Sequence, residues 1–163
     1  MYKDDERTMI LLKITIQIDT REKKNEHIIA VLENSGIMCL HSKLPFGDYM
    51  NLDNPRTVIE RKNSLCELAT CLCKDHERFR NELKNAQSYG IHIIILIEDS
   101  DGRNSVEDIK SWVNPFKKRN PHAVSGETLY KILVSMQDKY CFDIEFTSKA
   151  ASGSRIIQLL GAA

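Results

Sequence analysis

The chain has 163 residues, enough for one domain around a single core, and its 23 Lys and Arg balance 23 Asp and Glu to zero formal net charge. Ordinary hydrophobic and charged fractions (42% and 28%) exclude a disordered chain, and no apolar run is long enough to span a membrane. Zero net charge speaks against a simple polyanion-binding module but not against a nucleic-acid enzyme, in which acidic metal ligands offset basic phosphate contacts.

The N-terminus, MYKDDERTMI, lacks the apolar centre of a signal peptide, so a cytoplasmic location is expected, with residues 1–12 flexible. Next, KITIQID alternates Ile14, Ile16 and Ile18 with polar residues and reads as a strand. EHIIAVLENSG carries a helical apolar stripe that stops at Gly36. A second strand is expected near IMCLHSKL, and Gly47 marks a turn into a hairpin: DYMNL, a DNP turn, then TVIERK.

Ser64 to Tyr89 reads as two helices broken near Lys74, the first opened by a capping box of Ser64 and Glu67. Cys66, Cys71 and Cys73 lie in this stretch, but no CxxC pair exists, and Cys71 and Cys73 diverge on a helix. Free thiols are expected there rather than zinc. IHIIILIED is a nearly continuous apolar strand, suited to a central parallel position. SVEDIKSW reads as a short helix and NPFKKRNP as a polar connector. GETLYKILVSMQDKY reads as a helix, FDIEF as a strand and SGSRIIQLL as a closing helix. The order predicts an α/β fold, a mixed sheet covered by helices, in one domain spanning residues 1–163. Within KKRNPH, residues Lys117, Lys118, Arg119 and His122 form either a phosphate-binding loop or a solvated connector.

Strand alternation concentrates chemistry in the hairpin. Glu60 and Lys62 share one face, Ile59 and Arg61 the other, and the meander brings Asp48 beside the end of its partner strand. Two carboxylates can hold a hard divalent cation whose remaining shell is water and phosphate oxygen. A neighbouring ammonium can orient water and stabilise charge on a phosphate. Asp19, ending the first strand, would add a third carboxylate at this edge; Glu22, one turn on, would either do the same or cap the helix.

IDTRE, GDY and VIERK, in that order, resemble the XPF-type structure-specific nuclease domain. That family has a GD…ERKxxxD signature on a restriction-endonuclease-like fold of the PD-(D/E)xK superfamily. The resemblance continues through HERFRNELKNAQSYGIHIIILIE. It implies a restriction-endonuclease-like mixed central sheet flanked by helices. It also implies a Mg2+- (or Mn2+-) dependent endonuclease acting on branched or flap-like DNA, with a bacterial or phage-encoded source among those expected. Asp48 and Glu60 would be the principal metal ligands, Asp19 a further acid, and Lys62 the catalytic lysine. Arg21, Arg61 and Arg78 would contact substrate phosphates, with Glu22 and Glu67 as accessory positions.

The signature departs at position 66, where the family's aspartate is replaced by Cys66; Glu67 is rotated about 100° away on a helix and substitutes poorly. No helix-hairpin-helix module is recognised. Specificity would then come from this domain, from a homodimer or from another subunit. The alternative expectation is a non-catalytic DNA- or partner-binding subunit of a nuclease complex.

Overall fold

A computed structural model describes residues 14–162; the expected flexibility of residues 1–12 lies outside this range. The elements are β1 (Thr15–Ile18), α1 (Glu26–Asn34), β2 (Met38–His41), β3 (Tyr49–Asn51) and β4 (Thr57–Lys62). Then follow α2 (Leu65–Lys74), α3 (His76–Ser88), β5 (His92–Glu98), α4 (Gly126–Tyr140), β6 (Asp143–Thr147) and α5 (Ser152–Leu159). The six strands form one sheet in the order β2-β1-β3-β4-β5-β6. β3 runs antiparallel to both β1 and β4, whereas β1–β2, β4–β5 and β5–β6 are parallel pairs. This is the mixed α/β sheet that the order of elements predicts.

Period-two alternation sorts the sheet into two cores. Val58, Ile93, Ile95 and Ile97 pack beneath α2, α3 and α4, with Leu68, Leu72, Phe79, Leu83, Leu129 and Leu133. Ile59, Ile94 and Leu96 face the other side, against Ile28 and Leu32 of α1 and Ile156 and Ile157 of α5. β5 is therefore buried on both faces, which explains its nearly continuous apolar run. Among the described residues, no helix is long and apolar enough to cross a membrane.

The connectors are more ordered than their polarity suggests. SVEDIKSW forms a 3-10 helix (Val106–Ser111) opened by a Ser105–Asp108 capping box. NPFKKRNP, read from its sequence as a polar connector, contains a second 3-10 helix, Pro115–Lys118. Its start is set by Pro115, whose φ suits a first helical position, and by Asn114, whose side chain accepts from the Phe116 N–H at 3.0 Å. The buried Asn114 amide also donates to the Val124 carbonyl at 2.8 Å, closing the segment on itself.

Candidate active site at the open end of the β3–β4 hairpin

Gly47 sets the geometry of the hairpin mouth. Its φ is +64°, in the left-handed region, and a Cβ there would sit 2.9 Å from the Ile59 carbonyl oxygen, so the chain can pass only as glycine. Asp48 follows, and it clasps β4 on both sides of Glu60. Its N–H donates to the Ile59 carbonyl at 2.7 Å, and its Oδ2 accepts from the Arg61 N–H at 2.8 Å. The GD pair is thus a consequence of close strand approach followed by a carboxylate that grips the neighbouring backbone.

On this face the structure brings Asp48, Glu60 and Lys62 together. The Lys62 ammonium lies 2.6 Å from Glu60 Oε1, with the two side chains only 8% and 14% exposed. Its Nζ also sits 5.9 Å from the Phe79 ring centroid, over α3. Burial alone would lower the Lys62 pKa, but the adjoining Glu60 carboxylate overrides it and holds the group above its ordinary value. Burial pushes Asp48 well above the usual carboxylate range, and the charges of Glu60 and Glu22 push in the same direction.

Glu82, on α3, joins the cluster unannounced by the hairpin motif. Its Oε1 accepts from the Gly47 N–H at 3.0 Å, and burial followed by the Glu60 charge raises its pKa. Arg78, one turn earlier on α3, lies 3.9 Å from Asp75 and is 70% exposed. Arg78 remains open to solvent, where a phosphate could reach it. Recognising Glu82 from sequence would have required placing α3 across the GD turn, since nothing local distinguishes it from the other helix carboxylates.

Several expected site residues are otherwise engaged. Asp19 has both oxygens committed: Oδ1 to the Arg21 N–H at 2.7 Å and Nε at 2.8 Å, Oδ2 to Arg21 NH2 at 3.0 Å and the Leu44 N–H at 2.6 Å. Burial would raise its pKa, but these donors hold it near 2. Its expected role as a metal carboxylate therefore gives way to that of a clamp fixing the loop after β1. Arg21, the other half of the clamp, is still 59% exposed, and one terminal nitrogen has no partner among the described residues. It stays accessible for an anion.

Arg61 is not a substrate contact here. Its side chain is 3% exposed, and all five N–H donors are taken. Nε and NH2 form a fork on Glu98 at 2.9 and 3.1 Å, NH1 meets Glu22 at 2.6 Å, and the Lys23 and Lys24 carbonyls accept the rest. Strand alternation turns this guanidinium to the α1 side, away from Glu60 and Lys62. Glu22 accordingly neither caps α1 nor stands free for a metal; it accepts from Arg61 and from the Tyr49 hydroxyl at 3.1 Å. His27 adds a contact to Glu98 at 2.8 Å.

Glu67 is committed as well. Its N–H donates to Ser64 Oγ at 3.2 Å, and its Oε2 accepts from the Asn63 N–H at 2.8 Å, one residue ahead of the cap itself. It stabilises the start of α2 rather than supplying a ligand. Cys66, half-buried on the same turn, has its thiol pKa raised by burial.

Among the described residues, no three His, Cys, Asp or Glu side chains form a ready-made metal cage. The free carboxylate oxygens of Asp48 and Glu60 form a sparser donor set. Such a set suits Mg2+ or Mn2+, ions that keep much of their shell as water and substrate oxygen, rather than a four-ligand structural zinc. The crowding of Asp48, Glu60 and Glu82 around a single ammonium is a field that a further cation would relieve.

The same arrangement of elements occurs in solved proteins. XPF from Aeropyrum pernix superposes with a TM-score of 0.64 at 20% identity, over 91% of this chain and 64% of that one. XPF from Aeropyrum pernix in complex with DNA gives 0.63 at 19% identity, over 92% and 64%. The chain thus spans 64% of the length of each of these relatives. Among curated protein sequences none matches at a significant level. The ERCC4 domain matches residues 18–160, nearly the whole described range. The chain belongs to the ERCC4 domain family, and its fold is that of the XPF-type nuclease domain.

Proposed function

We propose that this chain is a divalent-metal-dependent DNA endonuclease that hydrolyses phosphodiester bonds in branched or flap-like DNA. The observation that carries this reading is the meeting of Asp48, Glu60 and Lys62 on one face of the hairpin mouth, with the ammonium 2.6 Å from Glu60. Asp48 and Glu60 would hold Mg2+ (or Mn2+), which when bound polarises the phosphoryl group and acidifies a bound water. Asp48 is held in place for this by its clasp on β4. Lys62 has three N–H donors, one engaged by Glu60; the others can orient water and receive charge developing on a phosphate oxygen. Arg21 and Arg78, both exposed, steer the DNA backbone towards this edge. The protein works as a homodimer or with a second subunit, whose surface completes the grip on the DNA.

The test is a cleavage panel of flap, splayed-arm and duplex DNA, with matched RNA, for wild type and Lys62→Ala, with and without Mg2+. Lys62→Ala should lose about 10²–10³-fold in rate, the scale for removing one preorganised donor. Cleavage that survives undiminished in Asp48→Ala or Glu60→Ala would overturn the reading. Cutting confined to RNA would move the substrate class.

A second reading is supported by Cys66 and by the engagement of Asp19 and Glu67, which leave two of the site's prospective acids occupied elsewhere. It makes the chain a non-catalytic DNA- or partner-binding subunit. It predicts DNA binding without metal-stimulated cutting, and no heat of Mg2+ binding that Asp48→Ala abolishes.

A further inference from the structure

The basic connector forms one wall of a groove that the catalytic cluster does not use. The groove measures about 640 Å3 and runs between α2, the Pro115–Lys118 helix and the start of α4. Its basic lining is Lys74, Lys117, Arg119 and His122, with no Asp or Glu. In a chain of zero net charge, that is a local excess of positive charge. None of these four residues makes an ion pair among the described residues, although eleven such pairs occur elsewhere. The cations are therefore not part of a structural network.

Phe116 stands within the same lining and is 52% exposed. An exposed phenyl ring beside unpaired cations is poorly explained by folding, because it loses contact with water on one face only. The loop that carries it is held rigid. Asn114, 3% exposed, grips the Phe116 N–H and the Val124 carbonyl, and the Arg119 and Asn120 N–H groups both return to the Phe116 carbonyl at 3.0 and 2.9 Å. The ring and its flanking charges are thus presented in a fixed order with little conformational freedom left to lose on binding.

The position relates this groove to the candidate active site. Leu68, Cys71 and Leu72 of α2 are buried against the sheet face that carries Val58, and by alternation Glu60 and Lys62, while Thr70, Cys73 and Lys74 of the same helix line the groove. One helix, about 10 Å across, separates the two. We propose that the groove between α2 and α4 binds the single-stranded arm of the DNA substrate, with a base stacked on Phe116 and its phosphates on Lys117, Arg119 and Lys74. A duplex offers phosphates but keeps its base faces stacked internally, so only an unpaired strand can use the ring as well as the charges. This rests on the nuclease reading for the identity of the ligand, and it adds a site outside the catalytic edge.

The test measures binding of a fluorescent oligo(dT) strand and of a blunt duplex of equal length by anisotropy, using the full chain in EDTA so that nothing is cut. Phe116→Ala should weaken oligo(dT) binding about 10-fold, within the range found for one stacked base, and leave duplex binding unchanged. Lys117→Ala/Arg119→Ala should reduce the slope of log K against log salt by about 1.4 for the single strand. The residues are exposed and make no structural pairs, so thermal melting of both variants should match wild type. Unchanged oligo(dT) affinity in Phe116→Ala, an equal loss on the duplex, or displacement of oligo(dT) by polyglutamate at equal potency would overturn the proposal. Absence of cleavage by wild type with these binding results intact would sink only the nuclease reading; normal cleavage with an inert Phe116→Ala would sink only the groove.

Discussion

Replacing Arg61 with methionine keeps the bulk of the side chain and removes five hydrogen-bond donors from a site that is 3% exposed. Glu98 and Glu22, whose side chains are 5% and 10% exposed, would then lose their shared cation, and the Lys23 and Lys24 carbonyls would each lose a donor. Breaking a buried pair by removing one partner costs about 3–5 kcal/mol, because the remaining carboxylate is stranded away from water. His27 already hydrogen-bonds Glu98 and keeps that bond when Arg61 is lost, which places the expected loss nearer 3 than 5 kcal/mol. For a domain of this size, that is a fall in Tm of roughly 6–12 °C. Equilibrium unfolding in guanidinium, with and without DNA, measures it. Arg61→Met/Glu98→Gln should recover part of the loss, giving a coupling of about 1–3 kcal/mol. Wild-type stability in Arg61→Met together with a selective fall in DNA affinity would refute the reasoning and return Arg61 to the role of phosphate contact.

Asp19→Asn should destabilise the protein by about 2 kcal/mol at neutral pH, the scale of hydrogen bonds made to a charged group. The native pKa near 2 lies below the ordinary 3.8, so this contribution is complete above about pH 4 and is lost as the pH falls towards 2. The stability gap between Asp19→Asn and wild type should therefore close over that window, and a gap independent of pH would refute the clamp. Gly47→Ala should cost about 1–2 kcal/mol for the left-handed backbone alone, more once Cβ meets the Ile59 carbonyl, and should impair any cleavage out of proportion to its melting shift. Glu82→Gln can still accept from Gly47 and so should fold normally. If its charge supports the Asp48–Glu60 pair, half-maximal cleavage should require about 10-fold more Mg2+.

Local pattern carried the parts of this molecule that depend on period. The alternation in TVIERK placed Glu60 and Lys62 on one face and Arg61 on the other, and the structure has them so. What alternation could not supply was the partner of each charge. Arg61 is held by Glu98, 37 positions away, and Asp19 by the Leu44 N–H, 25 positions away. Both residues match a recognisable motif, yet their tasks follow from long-range packing that a motif does not encode. Glu82 shows the converse: it carries no motif and enters the cluster only because α3 crosses the Gly47 turn. Asn114 likewise turned an apparent polar linker into an ordered loop through one buried amide.

Arg61 belongs to both sides of the sheet: its backbone N–H positions Asp48 on one, and its guanidinium gathers Glu22 and Glu98 on the other. The hairpin mouth consequently has no low-energy way to loosen by itself. The amides of Asp48 and Arg61 should exchange with deuterium only when the whole domain opens, at the slowest rates in the chain. Heat would then leave no intermediate in which the sheet persists and the carboxylates drift apart. Loss of the constellation and loss of the fold should share one transition.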